Sequence, residues 1–270
     1  MNNERLKNQV ALITGANSGI GSGIAKEMAA EGAIVIINYP YSSSKDEAEK
    51  VKEEIIQSGG KAEIYKADIS KEGEVIAMFQ DVNAKEGTID ILVNNAGIQN
   101  DAPLINMSLD QWQSVLNVNL TGQFLCSREA LRIFLKRGIQ TERSVSAGKI
   151  ICISSVHEVI PWEGHANYAA SKGGIMMLMK TMAQEYSQHK IRINSIAPGA
   201  VRTKINYSAW STSAAEKELL KVIPYGRLGE IKDIGKTAVW LASDESDYIN
   251  GTTLFIDGGM LLYPGFISNG

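Results

Sequence analysis

Residues 9–21 restrict the chain to one kind of sheet. Gln9-Val10-Ala11-Leu12-Ile13 is a short, mostly apolar run without alternation, the pattern of a strand buried on both faces. It leads directly into Thr14-Gly15-Ala16-Asn17-Ser18-Gly19-Ile20-Gly21, and a helical segment follows over residues 22–31. A strand covered on both faces needs helices above and below it, and the order strand, glycine turn, helix supplies the first of them. The glycines leave room for a pyrophosphate against the backbone. The helix start adds free N–H groups and the positive end of its dipole. A glycine cluster alone marks a turn; this succession points to a dinucleotide site.

The rest of the chain repeats the alternation. Strand-like runs at 33–38, 63–66, 89–93, 150–153, 192–197 and 253–256 are separated by helical segments, among them 46–57, 70–86, 112–136 and 231–242. The pattern predicts an α/β fold: one doubly wound parallel sheet of about seven strands with helices on both faces, filling residues 1–270 as a single domain. At 44% apolar residues the chain can build the core this requires. The cofactor half is expected over residues 8–160. Residues 200–226, polar and aromatic with weak periodicity, read as a substrate lid, and 140–147 as a surface insertion. No internal repeat or linker interrupts the domain.

Several function classes are disfavoured. A net charge of −3 gives no electrostatic case for nucleic acid or an anionic membrane. No apolar run reaches the 18 or more residues of a membrane span, and Met1–Lys7 lacks a signal-peptide core. Cys126 and Cys152 sit in apolar segments without metal-ligand spacing, so they read as core residues of a cytoplasmic protein and no metal site is expected.

The chemistry concentrates in residues 154–172. Ser155 closes the apolar run Ile150-Ile151-Cys152-Ile153, and Tyr168 and Lys172, four apart, share one face of a helix. A phenol is a weak base at its ordinary pKa of about 10, and a nearby ammonium group favours phenolate. A hydroxyl such as that of Ser155 can hold a substrate oxygen while Tyr168 moves its proton. Tyr-x-x-x-Lys by itself is most often a packed ring beside a solvated lysine; the glycine loop and the preceding serine change that reading. Upstream, Asn119 and Gly122 stand inside a helical segment whose propensity they lower, the kind of local inconsistency found at functional sites. The helix after Tyr168 carries Ile175-Met176-Met177-Leu178-Met179 and Met182, apolar nearly all round, so either pliable core methionines or a partner subunit covers it.

Together Thr14-Gly15-x-x-x-Gly19-x-Gly21, Asn94-Asn95-Ala96-Gly97, Asn119, Ser155, Tyr168, Lys172 and Pro198-Gly199 resemble the short-chain dehydrogenase/reductase family over residues 8–260. The resemblance implies catalytic roles for Asn119, Ser155, Tyr168 and Lys172, with Asn119 bending its helix and holding water that leads to the lysine. It implies cofactor contacts at Thr14, Gly15, Asn17, Ser18, Gly19, Ile20, Gly21, Tyr39, Asp68, Ile69, Asn95, Ala96, Gly97, Tyr168, Lys172, Pro198, Gly199, Val201 and Thr203. For Asp68 a helix N-cap is the equal alternative. Where an NAD-restricted site has an acid at the end of the second strand, this chain has Tyr39 and then Pro40. Use of both NAD and NADP is expected, with a modest lean to NADP, and Ser42, Ser43, Ser44 and Lys45 are available to a phosphate. The family's habit implies a homotetramer.

Two blocks resemble the bacterial glucose 1-dehydrogenases within that family: Ser154 to Trp162, and Asp257 to Phe266. They imply oxidation of an aldose, D-glucose first, at C1 to the lactone, with Gln99, Ser155, His157, Tyr168 and Arg202 on the substrate. Gln99 stands where those enzymes carry a glutamate, Arg202 where they carry an asparagine, and residues 140–147 are extra. A sugar acid, a keto or 3-oxoacyl substrate, and a non-enzymatic dinucleotide sensor are the competing readings.

Overall fold

The computed structural model describes residues 4–262. Its sheet holds seven parallel strands: β1 (Val10–Ile13), β2 (Ile34–Tyr39), β3 (Lys61–Lys66), β4 (Ile91–Asn94), β5 (Gly148–Ile153), β6 (Ile191–Pro198) and β7 (Thr253–Ile256). Their spatial order is β3-β2-β1-β4-β5-β6-β7, so the winding reverses between β1 and β4. In such a sheet the crevice outside the carboxyl ends of the strands at that reversal is where ligands bind.

Helices α1 (Gly19–Ala30), α2 (Lys45–Gln57) and α8 (Ile231–Ala242) cover one face. The other is covered by α3 (Glu72–Glu86), α5 (Gly122–Arg137) and α6 (Ala166–Tyr186). Alternation along β1 divides its side chains between the two cores: Ala11 and Ile13 face the first, Val10 and Leu12 the second. Two shorter helices, α4 (Leu109–Leu116) and α7 (Ser213–Leu220), flank the carboxyl-end crevice; α7 lies within the expected lid.

The long helix expected over 112–136 is broken where Asn119 and Gly122 stand. Residues Asn117–Thr121 make a π-helical turn between α4 and α5, with the Gly122 N–H reaching back to the Asn117 carbonyl. Such turns widen a helix at functional sites, and this one turns Asn119 fully inward.

Residues 140–147 are not a free surface insertion. Ser144, Ser146 and Ala147 are buried, and Ser144 Oγ and the Val145 N–H bind the Asp244 carboxylate. Arg143 donates to the Asn8 carbonyl and to Asp90. A polar loop could be read as solvated; here the charges at the amino ends of β1, β4 and β5 supply its partners.

Candidate active site

At the β1–β4 reversal lies a cavity of about 330 Å³. Its floor is a set of side chains locked onto backbone. Thr14 Oγ1 accepts from the N–H groups of Asn95 (2.9 Å) and Ala96 (3.0 Å), while Asn95 Nδ2 donates to the Thr14 carbonyl at 2.9 Å. Asn38 Oδ1 accepts from the Gly15 N–H at 3.1 Å and its Nδ2 donates to the Ala67 carbonyl at 2.9 Å. Gly15 has φ +60°, and a Cβ there would stand 2.9 Å from Ala96 Cα, so glycine alone allows the two loops to meet.

Above this floor, Asn17, Ser18, Gly19 and Ile20 open into the cavity at the start of α1. Ser18 is extended and gives no side-chain cap, and no acid occupies the first helical turn. The helix start therefore keeps unpaired N–H groups directed at the cleft, the arrangement that suits a phosphate. Asn38, Pro40, Tyr41, Asp68 and Ile69 form one end of the cavity; Asn95, Ala96, Gly97, Tyr168, Lys172 and Thr203 continue it toward the other. These walls fit a dinucleotide lying across the strand ends.

Some expected contacts are placed otherwise. The Tyr39 side chain is buried in the core between the sheet and its helices, and Pro40 and Tyr41 face the cleft in its stead. Alternation along β2 accounts for this: Asn38 points to the cleft, so the next residue points away. Val201 likewise turns its side chain into the core, and Pro198 and Gly199 close β6 behind the cavity wall. Asp68 lines the cavity and is not the cap of α3, whose N-cap is Lys71; its Oδ1 accepts from the N–H and hydroxyl of Ser70. Asn38, Tyr41, Lys204 and Ile205 are cleft residues that periodicity did not single out.

Tyr168 and Lys172 share the inner face of α6 as expected. Lys172 is buried at 4% exposure, donates from Nζ to the Ile153 carbonyl at 3.0 Å, and stands 5.3 Å from the centre of the Tyr168 ring. Burial pulls the lysine down to about 8, opposed by the charge of the buried Glu158. Burial also pushes the Tyr168 phenol above its ordinary value, against the pull of the Ser155 hydroxyl. Without the charge of a nicotinamide beside it, desolvation outweighs the hydrogen bond and favours the phenol. Ser155 itself is held by the His157 N–H, which donates to its Oγ at 3.2 Å. Asn119 accepts from the Ile98 N–H at 2.8 Å and donates to Ser171 Oγ at 3.1 Å, tying the loop after β4 to α6.

On the substrate side, Gln99 and Ile98 line the cavity. His157 lies flat on Trp162 with ring centres 4.3 Å apart, and Trp162 lies flat on His165 at 3.6 Å. His157 Nδ1 is 3.1 Å from the Ile160 carbonyl, and burial holds its pKa below the ordinary value. A neutral ring that donates from Nδ1 keeps Nε2 as an acceptor. Arg202 is placed elsewhere than expected: its guanidinium pairs with Glu216 of α7 and, at 3.4 Å, with Glu230, and packs on Trp210. It fastens the lid. The Tyr263–Phe266 part of the second glucose-dehydrogenase-like block lies outside the described residues. Among the described residues no group of three or more metal-ligating side chains occurs, and no helix is long and apolar enough to cross a membrane.

A dinucleotide cleft that ends at a hydroxyl, a phenol and a buried lysine defines a nicotinamide-dependent oxidoreductase of CH–OH groups. The chain belongs to the short-chain dehydrogenase/reductase family: the family model described as enoyl-(acyl carrier protein) reductase matches residues 15–261. It is 44% identical to 3beta-hydroxysteroid dehydrogenase 1 of Eggerthella lenta, over 97% of each chain. It is 39% identical to glucose 1-dehydrogenase 2 of Bacillus subtilis, over 96% of this chain and 97% of that one. Among solved structures, a gluconate 5-dehydrogenase from Burkholderia cenocepacia in complex with NADP and tartrate superposes with a TM-score of 0.87. It is 36% identical and the match covers 96% of this chain and 98% of that chain.

Proposed function

We propose that the enzyme oxidises a β-oriented secondary hydroxyl on a rigid six-membered ring, and that its preferred ring carries an apolar body, as a 3β-hydroxysteroid does. The observation that carries this reading is the make-up of the substrate walls. Ile98 and Ile205 face the cavity from opposite loops, and both are left exposed to whatever enters. A sugar needs a directed partner for each hydroxyl it takes out of water. Of the three groups expected to grip one, Gln99 lines the cavity, His157 stands outside that lining, and Arg202 is spent on Glu216 and Glu230. Both faces of Trp162 are covered by imidazoles, so it has no face for a sugar ring to stack on. Oxidation of D-glucose at C1 is the second reading, supported by the Ser154–Trp162 block and by the free acceptor on His157.

When bound, the nicotinamide accepts the hydride. The chain's own part is to hold the substrate oxygen with Ser155 and to take its proton on Tyr168 in the phenolate form, the phenol's own proton having left to solvent through the open cleft and Lys172 supplying positive charge that favours that form. Asn119 fixes the loop that walls the substrate. Dual use of NAD and NADP fits a β2 end without an acid or an arginine in the cleft. Phe124, Leu135 and Met177 are exposed on α5 and α6, which supports a homotetramer.

The test is a panel of 3β-hydroxysteroids, D-glucose, other aldoses and gluconate, each with NAD and with NADP. A steroid kcat/KM at least about tenfold above that for glucose is expected, with the two coenzymes within about a hundredfold. Turnover of glucose alone would move the assignment to the second reading, and turnover of neither ring would end both.

A further inference from the structure

Two buried asparagines close a circuit of hydrogen bonds around the backbone of Tyr168. Asn167 is fully buried; its Nδ2 donates to the carbonyls of Asn100 (2.9 Å) and Gln111 (3.1 Å), and its Oδ1 accepts from the Tyr168 N–H at 2.8 Å. The Tyr168 carbonyl accepts from Ser171 Oγ at 2.7 Å, and Ser171 Oγ in turn accepts from Asn119 Nδ2. Asn119 completes the ring through both backbone groups of Ile98, two residues before Asn100. The loop that carries Gln99 is thus pinned at Ile98 by one asparagine and at Asn100 by the other. Both pins end on the peptide groups of the residue that moves the proton.

An N–H in the first turn of a helix has no intrahelical partner, and His165, the residue before α6, provides no side-chain cap. Asn167 supplies that cap from inside the helix and has two donors left for the loop and for α4. Only a primary amide of this length combines two donors and an acceptor in so small a fork. Two further links run along the same seam, the Ala102 N–H to the Gly164 carbonyl at 3.0 Å and His165 Nε2 to Asp101 Oδ2 at 3.2 Å.

We infer that Asn167 is a positioning residue for the oxidation: it fixes the loop of residues 98–101 to the turn bearing Tyr168, so that the phenol and the substrate wall hold one geometry. The inference rests on the family's chemistry and is indifferent to whether the ring is a steroid or a sugar. Tyr168 lines the open cleft, so what the circuit maintains is the place of the phenol beside Ser155 and Lys172.

The experiment compares the parent with Asn167→Ala and Asn167→Asp below their melting temperatures, on whichever alcohol the parent oxidises, with coenzyme affinity measured separately. A misplacement of about 1 Å costs about a hundredfold in rate, so Asn167→Ala should lose about ten- to a hundredfold in kcat with coenzyme Kd within about twofold. The phenol should titrate at a shifted pH in that variant, because its hydrogen bond to Ser155 changes, read without substrate as the ultraviolet difference between each protein and its Tyr168→Phe counterpart. In Asn167→Asp the new carboxyl can donate one hydrogen bond while protonated and none once ionised against two carbonyls. Its kcat should therefore fall with an extra ionisation as pH rises, which also carries the test if the alanine variant does not fold. Folded variants with unchanged kcat and unchanged phenol titration would overturn the inference, whatever their melting temperature. So would a coenzyme Kd that weakens in step with kcat.

Discussion

Lys149 stands at the amino end of β5 and Lys172 lies against its carboxyl end, and burial draws both down to about 8. At the amino end the ammonium is fully provided for: Nζ donates to Gln9 Oε1 at 2.8 Å and Asp244 is 3.8 Å away. Around it Arg137 and Arg143 hold Asp90, and Arg192 donates to Ser146, Ser246 and the Ser243 carbonyl. At the carboxyl end Lys172 has one backbone acceptor, a phenol ring above it, and an open cleft beside it. A displaced pKa therefore does not mark a site by itself. What separates the two lysines is whether the neighbours are satisfied within the protein or wait for a ligand.

Three substitutions break the two ends of β5 apart, beginning with the largest effect. Tyr168→Phe deletes the group that moves the proton and should cost about two decades or more of kcat, with coenzyme affinity and melting temperature kept. Near-normal turnover in that variant would remove the carboxyl end from the chemistry. Lys172→Met should cost about ten- to a hundredfold, and the limb over which kcat rises with pH should move to higher pH, because loss of the ammonium makes the phenolate still harder to form. A pH–rate profile of parent against variant checks this.

Lys149→Met should leave kcat/KM within about twofold, and its signature is in stability. A lysine lowered from 10.5 to about 8 binds fewer protons folded than unfolded between those pH values. Stability therefore rises with pH across that window and is flat below it, by an amount on the order of 3 kcal/mol per lysine. Lys149→Met should lack about half of the combined rise. Urea midpoints at pH 7, 9 and 10.5 measure it, and an undiminished rise would show that Lys149 is not desolvated.

The sheet and the catalytic side chains were legible in the sequence because their signals are local. An apolar run marks each buried strand, a glycine loop marks the turn into the first helix, and Tyr-x-x-x-Lys marks the inner face of α6. Ends of elements were less so. β3 begins at Lys61, two residues before its apolar pattern, because Lys61 pairs with Ile34 across the ladder. α1 starts at Gly19 rather than 22, since the tertiary position of the glycine loop overrides weak helix propensity. Asn38, Asn167 and Glu158 act through groups far away in the chain, and nothing near them in sequence announces their partners. Arg202 was misplaced for the same reason: its acids, Glu216 and Glu230, lie 14 and 28 positions further on. Polar residues have no periodicity, so their assignments wait on the fold.

The loop of residues 140–147 has a consequence for the order in which the molecule can be finished. It is tied to Asn8 and Asp90 on one side and to Asp244 on the other, and Arg192 is held by Ser243 and Ser246. A ribosome delivers those last partners only after the first six strands exist. Until then Arg192 has only Ser146 of its three partners, while Lys149 already has Gln9. Closure of the amino-end edge is thus complete only once translation has passed residue 246, which carries the last of those partners.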